Sequence, residues 1–279
     1  VEKAYFKQIL RLALSKRSVR RCGKDIRLVY TPVHGSGYMP VTHVLKKLGI
    51  RASVVQEQIA PDPDFSTVAV PNPELPETLS LGIKLANEIN ADVVFGTDPD
   101  CDRLGVALRN RNNVFVTLTG NQVGILLLHY ILSRLEEEGD LPANGAVVKS
   151  IVTTDMAKVI AEDFRVALFE TLVGFKFIGE KIKDWEKSGE HTFLFGFEES
   201  CGYLRGTHAR DKDAVVASML MAELVCYYTD KGRSVFDVLS DLYNKYGYYE
   251  DKVLSIAFAG ADGKQKMADF MQKIRKVSP

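Results

Sequence analysis

Three aspartates at alternate positions are the sharpest chemical signal in the sequence: Asp98, Asp100 and Asp102. They follow an apolar run directly, and the intervening Pro99 disfavours a helix there. Carboxylates this close repel one another unless a cation joins them, and hard oxygen ligands favour Mg²⁺ or Ca²⁺. The calcium-loop pattern fails because arginines stand where it requires a glycine and a bidentate glutamate. We therefore predict a magnesium loop, with a solvated acidic turn as the alternative.

A second polar loop also follows an apolar run. It contains Glu198, Glu199 and Ser200 and ends at Gly202. Adjacent carboxylates and a hydroxyl suit a polyol ligand, because sugar hydroxyls need both hydrogen-bond donors and acceptors. The alternative is an ordinary polar exit from a strand.

Cations stand at the start of two predicted helices. Arg210 and Lys212 stand just before a long apolar helix, and Lys176 follows the glycine that opens another. Basic side chains beside the free N–H groups of a helix N-terminus favour an anion, although a surface cluster of arginine–aspartate pairs is the simpler alternative. A glycine-containing loop at residues 31–37 lacks the phosphate-loop lysine, so we interpret it, with His34, as a structural turn.

Apolar runs and helical patterns alternate along the chain and place these loops after strands. Strands are predicted at 26–30, 52–55, 91–96, 104–109, 146–152, 166–170, 192–197 and 253–258. Helices are predicted at 1–17, 40–48, about 77–89, 123–137, 155–163, 174–187, 212–230, 234–246 and 264–276. The alternation predicts the α/β class, with two similar three-layer α/β domains and mixed, mostly parallel sheets. We expect domains at 1–116 and 117–249, and a connector at 250–279.

Length, charge and cysteine content restrict the function classes. The 279 residues suffice for two domains, and 36 basic residues balance 36 acidic ones, so no overall basic field favours nucleic acid or a membrane surface. No apolar run approaches the ~20 residues of a membrane span. The four cysteines include no Cys-x-x-Cys pair, which argues against a zinc site or disulfide framework and favours a cytoplasmic location.

The order of the loops is more specific than any one of them. They read Thr-Pro-x-His-Gly, Asp-Pro-Asp-x-Asp-Arg, Gly-Phe-Lys, Glu-Glu-Ser-x-Gly and Arg-Asp-Lys-Asp. This order resembles the α-D-phosphohexomutase family, the phosphoglucomutases and phosphomannomutases, over residues 1–250. The resemblance implies the second and third of four domains. The first domain's phosphorylatable serine loop and the fourth domain's phosphate-binding loop do not occur in the sequence, so we expect a fragment that is inactive alone.

The resemblance also implies a reaction and roles for residues. The family interconverts hexose 1-phosphate and hexose 6-phosphate through a phosphoserine and a bisphosphate such as glucose 1,6-bisphosphate. By this resemblance the ligands of Mg²⁺ are Asp98, Asp100 and Asp102, the catalytic residues are Arg103 and Lys212, and the substrate-binding residues are Glu198, Ser200, Lys176 and Arg210. The implied partners are a hexose phosphate and the absent first and fourth domains. Glucose and mannose are not distinguished.

Three alternatives remain open at this point. A haloacid-dehalogenase-type phosphatase also places Asp-x-Asp after a buried strand, and it would be active by itself. Metal-dependent glycosyltransferases use Asp-x-Asp as well, but neither class accounts for Glu198 together with Lys212. The non-enzyme alternative is a sugar-phosphate-binding module without catalysis.

Overall fold

The computed structural model describes residues 2–252 and 256–277, which form a large compact unit up to residue 249 and a small one after it. The strands are β1 (Leu28–Thr31), β2 (Ala52–Val54), β3 (Val93–Thr97), β4 (Leu104–Arg109), β5 (Phe115–Leu118), β6 (Gly145–Ser150), β7 (Ala167–Thr171), β8 (Thr192–Glu198) and β9 (Gly202–Leu204). The helices are α1 (Glu2–Arg11), α2 (Lys16–Cys22), α3 (Tyr38–Leu48), α4 (Ser80–Glu88), α5 (Gly120–Glu137), α6 (Met156–Asp163), α7 (Phe175–Ser188), α8 (Ala214–Asp230), α9 (Val235–Tyr246) and α10 (Gly263–Lys276).

The two sheets share one topology over their first four strands. The first has the order β2-β1-β3-β4-β5 and the second the order β7-β6-β8-β9. In each, the three leading strands run parallel and the next strand returns antiparallel through a hairpin. The β3–β4 hairpin contains the three aspartates, and the β8–β9 hairpin contains the Glu-Glu-Ser sequence. The predicted fold class, α/β with mixed sheets, is confirmed.

Helices cover both faces of each sheet, because successive strand residues point to opposite sides. In the first sheet Val94 packs in a small cluster with α4, whereas Phe95 belongs to the main core with α3. In the second sheet Phe197 lies against Gly124 of α5, and the preceding residue lies against Ile178 of α7. Each sheet is therefore the middle of three layers.

Helix α8 joins the two sheet systems. It is buried almost throughout and packs against α2 and α3 of the first system and α5 of the second. Its Glu223 is fully buried and accepts hydrogen bonds from the backbone N–H groups of Leu14 (2.7 Å) and Ser15 (2.6 Å). The two domains therefore share one continuous core rather than meeting at a thin surface.

Several predicted boundaries differ from the structure. The prediction of a single helix over 1–17 is wrong, since α1 ends at Arg11 and α2 begins at Lys16. The helix is interrupted because backbone N–H groups between these two residues donate to the Glu223 carboxylate. Two short strands, β5 and β9, were not predicted. The domain boundary expected after residue 116 falls inside β5, whose residues pair with β4.

The small unit contains helix α10, which matches the helix predicted over 264–276. Part of the strand predicted at 253–258 lies outside the described residues, and residues 256–258 have no regular secondary structure. Across the described ranges, each helix is too short or too polar to cross a bilayer.

Candidate active site

The three aspartates lie on the tight turn between β3 and β4. Cys101, at the centre of the turn, adopts a left-handed conformation with φ of 61°. Asp98 is 1% exposed, Asp102 is partly buried and Asp100 is exposed. The three carboxylates of the turn therefore differ in exposure, from buried Asp98 to exposed Asp100.

The donor set fits a hard divalent cation. One carboxylate oxygen from each aspartate can be chosen so that all three lie within 4.8 Å of one another. Within the described residues, the buried Oδ1 atom of Asp102 has no hydrogen-bond partner, although Nε of Arg103 lies 3.6 Å from it. A buried carboxylate oxygen without a partner is costly unless a cation or water satisfies it. Asp98, Asp100 and Asp102 could therefore hold Mg²⁺, with positions left open for a phosphate.

Asp98 is held by its own turn. Its Oδ1 atom accepts the N–H groups of Asp102 (3.0 Å) and Arg103 (2.9 Å), and its Oδ2 atom accepts Nε of Arg103 (2.8 Å). Burial raises the pKa of Asp98 to about 6, with a contribution from the Asp102 charge, and the Arg103 bonds act in the opposite direction. A cation bound beside Asp98 would favour its charged form.

Arg103 connects the metal loop to a segment that was not predicted to take part. Its Nη1 atom donates to Glu74 (2.9 Å) and to Asn72 (3.3 Å), while its Nε atom holds Asp98. Arg103 therefore lies between the predicted metal loop and the segment that contains Asn72 and Glu74. Asn72 and Glu74 lie 29 or more residues away in a proline-rich connection, and no local pattern pointed to them.

The loop at residues 31–37 supports the metal loop from another side. Ser36 donates its N–H group to the carbonyl of Pro99 at 2.8 Å, and a Cβ atom on Gly35 would overlap the Pro99 backbone. His34 has both ring nitrogens occupied, by the carbonyl of Ala60 (2.8 Å) and by Oγ1 of Thr67 (2.7 Å). The interpretation of this loop as a structural turn agrees with these contacts.

The β8–β9 turn repeats the geometry of the metal loop. Cys201 adopts φ of 62°, and Glu198 occupies the place in its turn that Asp98 has in the other. Glu198 is 5% exposed and accepts the N–H group of Gly174, which precedes α7, at 2.8 Å. Burial raises the pKa of Glu198, although the Gly174 bond lowers it. The side chain is therefore fixed at the carboxyl end of the second sheet.

The two turns contact each other directly. Arg103 and Gly202 form an antiparallel bridge, and the N–H group of Leu104 donates to the carbonyl of Cys201 at 3.0 Å. The predicted metal loop and the predicted sugar loop thus share one backbone hydrogen-bond system, although 100 residues separate Cys101 from Cys201.

Lys212 bridges the same two turns through its side chain. Its Nζ atom lies 3.0 Å from Oδ2 of Asp102 and 2.9 Å from Oδ1 of Asp211. Its methylenes cross Gly202, where a Cβ atom would overlap them. Burial alone would lower the pKa of Lys212, but the two carboxylates outweigh it, so the pKa is raised. Lys212 is charged and is brought to the metal loop.

The other predicted substrate-binding residues are placed differently. Ser200 is half-buried on the β8–β9 turn, and its hydroxyl makes no hydrogen bond to another described residue. Lys176 is exposed, with its ammonium 4.9 Å from the ring centre of Phe177. Arg210 is directed to Glu186 and to the carbonyl of Thr207 (2.7 Å). Ser200 is thus available to a ligand, whereas Arg210 is already paired in this conformation.

Family models account for both sheet domains. The alpha/beta/alpha domain II model of phosphoglucomutase/phosphomannomutase matches residues 3–112, and the domain III model matches residues 119–246. The chain belongs to the phosphoglucomutase/phosphomannomutase family. The predicted metal loop lies in the domain II match, and the predicted sugar loop and Lys212 lie in the domain III match. This membership does not favour the phosphatase or glycosyltransferase alternatives.

Known relatives agree with this assignment. A phosphoglucomutase of Staphylococcus haemolyticus is 35% identical over 256 residues, which cover 91% of this chain and 46% of that protein. A crystal structure described as a phosphomannomutase of Thermus thermophilus matches with a TM-score of 0.68 and 25% identity, over 88% of this chain and 51% of that one. The chain spans about half the length of the curated relatives it matches.

A more distant neighbour shares the fold. It is the N-acetylphosphoglucosamine mutase of Aspergillus fumigatus, in complex with GlcNAc-6P and magnesium. The TM-score is 0.59 at 15% identity, over 98% of this chain and 62% of that one.

Proposed function

We propose that these two domains form the metal-binding and sugar-binding part of a phosphohexomutase active site. The observation that carries the proposal is the direct contact between the two hairpin turns, together with Lys212 spanning them. Phosphoryl transfer depends on positioning and on charge neutralisation. A site that joins an acidic metal loop to a fixed sugar-binding turn provides both.

The roles that we propose for the individual residues follow from their positions. Asp98, Asp100 and Asp102 hold Mg²⁺, which would neutralise charge on a transferring phosphoryl group as a Lewis acid. Arg103 orients Asp98 through its Nε atom. Lys212 meets negative charge that develops on phosphate or hydroxyl oxygens.

The sugar side of the site is built from the second domain. Glu198 is oriented by Gly174, and the hydroxyl of Ser200 makes no hydrogen bond to another described residue; both bind hydroxyls of the hexose ring. Lys176 and Arg210 lie on the same domain and are proposed to contact phosphate, Arg210 after releasing Glu186. The whole reaction moves a phosphoryl group between O1 and O6 of a hexose, through a phosphoserine outside these 279 residues and a hexose bisphosphate.

Equilibrium binding tests these roles. We expect the chain to bind glucose 1,6-bisphosphate in the presence of Mg²⁺, measured by isothermal titration calorimetry. Glu198→Gln should weaken bisphosphate binding about 10- to 150-fold, because a lost hydrogen bond to a charged group contributes about 1.5–3 kcal/mol. Mn²⁺ affinity should be unchanged. Glu180→Gln, on an exposed face of α7, serves as the matched control.

Turnover assays separate the proposal from its alternatives. The chain should not convert glucose 1-phosphate to glucose 6-phosphate, since no serine loop of the family type occurs in its sequence. Hydrolysis of a phosphomonoester by the purified chain would instead support the phosphatase alternative. Absence of any bisphosphate or hexose phosphate binding would contradict the proposed sugar site.

A further inference from the structure

Glu199 stands between the two residues proposed to bind the sugar, yet its own carboxylate is occupied inside the second domain. Its Oε2 atom accepts hydrogen bonds from Oγ of Ser150 (3.1 Å) and Oγ1 of Thr153 (2.9 Å). Both hydroxyl-bearing residues are buried, at 0% and 2% exposure. The two hydroxyls also lie 2.8 Å from each other, so they have two protons for three contacts, and at least one of these protons is directed to Glu199.

Thr153 holds the backbone of the same residue as well. Its Oγ1 atom accepts the N–H group of Glu199 at 3.2 Å, and it lies 2.8 Å from Oγ of Ser150. One hydroxyl therefore contacts both the main chain and the side chain of Glu199. This double contact fixes the position of the peptide units on either side.

The turn that carries these hydroxyls has its own buried support. Lys149 is fully buried, and its Nζ atom donates to the carbonyl of Thr153 (2.8 Å) and to Oε1 of Glu170 (2.8 Å). A charged donor makes stronger hydrogen bonds than a neutral one. The 150–153 turn is therefore a fixed platform at the carboxyl end of β6.

We propose that Thr153 and Glu199 are positioning residues for the sugar site, which set where Glu198 and Ser200 stand toward a hexose phosphate. The inference rests on the proposed function. Glu198 and Ser200 are the immediate neighbours of Glu199, with Cα atoms about 3.8 Å away, so movement of Glu199 displaces both. In this assignment neither positioning residue needs to contact the substrate itself.

Removal of one hydroxyl with retention of shape tests the proposal. Thr153→Val should weaken glucose 6-phosphate binding about tenfold in calorimetry, because both contacts to Glu199 are lost. Thr153→Ser should restore the affinity. Mn²⁺ affinity should stay unchanged in both variants, since the metal loop lies on the other hairpin. Thr171→Val is the matched control, because among the described residues its buried hydroxyl reaches only the Lys149 carbonyl, at 3.5 Å.

A second measurement decides the positioning role without a ligand. Amide hydrogen exchange at Glu198 and Gly202, the residues that pair at the end of the β8–β9 hairpin, should become at least about tenfold faster in Thr153→Val. Exchange in the β3–β4 hairpin should not change, except at Leu104, whose N–H group donates to the carbonyl of Cys201. If the unmodified chain binds no hexose phosphate, the proposed function fails. Amide hydrogen exchange in Thr153→Val still tests whether Thr153 positions the β8–β9 turn. Unchanged exchange and unchanged affinity in Thr153→Val would each overturn the positioning role.

Discussion

The ammonium group of Lys212 lies 3.0 Å from the carboxylate of Asp102, so a cation of one domain contacts a predicted metal ligand of the other. The contact places Lys212 where it neutralises part of the acidic cluster. It also places a positive charge close to any bound divalent cation. Coulomb repulsion from Lys212 would therefore weaken the binding of a divalent cation to the predicted metal ligands.

Substitution of Lys212 should change metal affinity in a direction opposite to most active-site variants. We expect Lys212→Met to bind Mn²⁺ about three- to tenfold more tightly, because one repulsive charge is removed at close range. The effect should shrink as salt concentration rises. Calorimetric titration with Mn²⁺ measures the affinity of this variant and that of the control Lys176→Met, which removes an exposed cation. Weaker Mn²⁺ binding would instead mean that Lys212 organises the ligands.

Substitution of the exposed ligand tests the metal loop itself. Asp100→Asn should weaken Mn²⁺ or Mg²⁺ binding about tenfold or more, since one of three carboxylate charges is lost. In the absence of metal the variant should unfold at the same or a slightly higher temperature, because repulsion among the three carboxylates is reduced. Asp140→Asn, which also removes an exposed carboxylate, is the control. Equal metal affinity in both variants would contradict the metal assignment.

His129 should make stability depend on pH in the acid range. Its ring lies among Phe164 and Tyr246, and burial lowers its pKa to about 4 from the usual 6.5. As pH falls, the imidazole binds a proton in the unfolded chain before it does so in the folded protein. The free energy by which the neutral, buried ring favours folding is therefore fully present above pH 6.5 and is lost as pH falls toward 4. At pH 5 the loss is at most about 2 kcal/mol.

Urea unfolding at pH 7 and pH 5 measures this effect. His129→Phe should show a smaller loss of unfolding free energy between the two pH values than the unmodified chain. His191→Phe offers a comparison at a more peripheral histidine that also contacts aromatic rings. A pH dependence that is the same with and without His129 would show that other groups dominate acid unfolding.

The buried Glu223 should stabilise the joint between the two domains. Glu223→Ala leaves the N–H groups of Leu14 and Ser15 without their acceptor and removes an anion near the buried Arg205, whose pKa burial lowers to about 10. We expect a loss of about 2–6 kcal/mol in unfolding free energy, because each of the two N–H groups left without an acceptor costs about 1–3 kcal/mol. Glu180→Ala should change it by less than about 0.5 kcal/mol. Chemical denaturation of both variants tests this, and equal stabilities would contradict the role of Glu223.

The local chemistry of the candidate site could be predicted because its parts are short and contiguous. Asp98, Asp100 and Asp102 stand within five positions, so their spacing alone brings the carboxylates together on one turn. The apolar runs before this turn and before Glu198 were sufficient to place both after strands. The same local patterns predicted the α/β class and most of the helices.

Contacts between distant segments could not be predicted in this way. Glu74 reaches Arg103 across 29 residues, and Thr153 reaches Glu199 across 46. The break between α1 and α2 depends on Glu223, more than 200 residues further along. The apolar pattern of residues 1–17 gives no information about a carboxylate so far along the chain, so it predicted one helix.

By itself the sequence determined which chemical groups this protein carries, in which order, and on which kind of turn. Only the tertiary structure decided that the β3–β4 and β8–β9 turns share backbone hydrogen bonds and that Lys212 spans them. The physical reason is that strand and turn formation depends on neighbouring residues, whereas the meeting of two hairpins depends on how α8 and both sheets bury their apolar faces in one core.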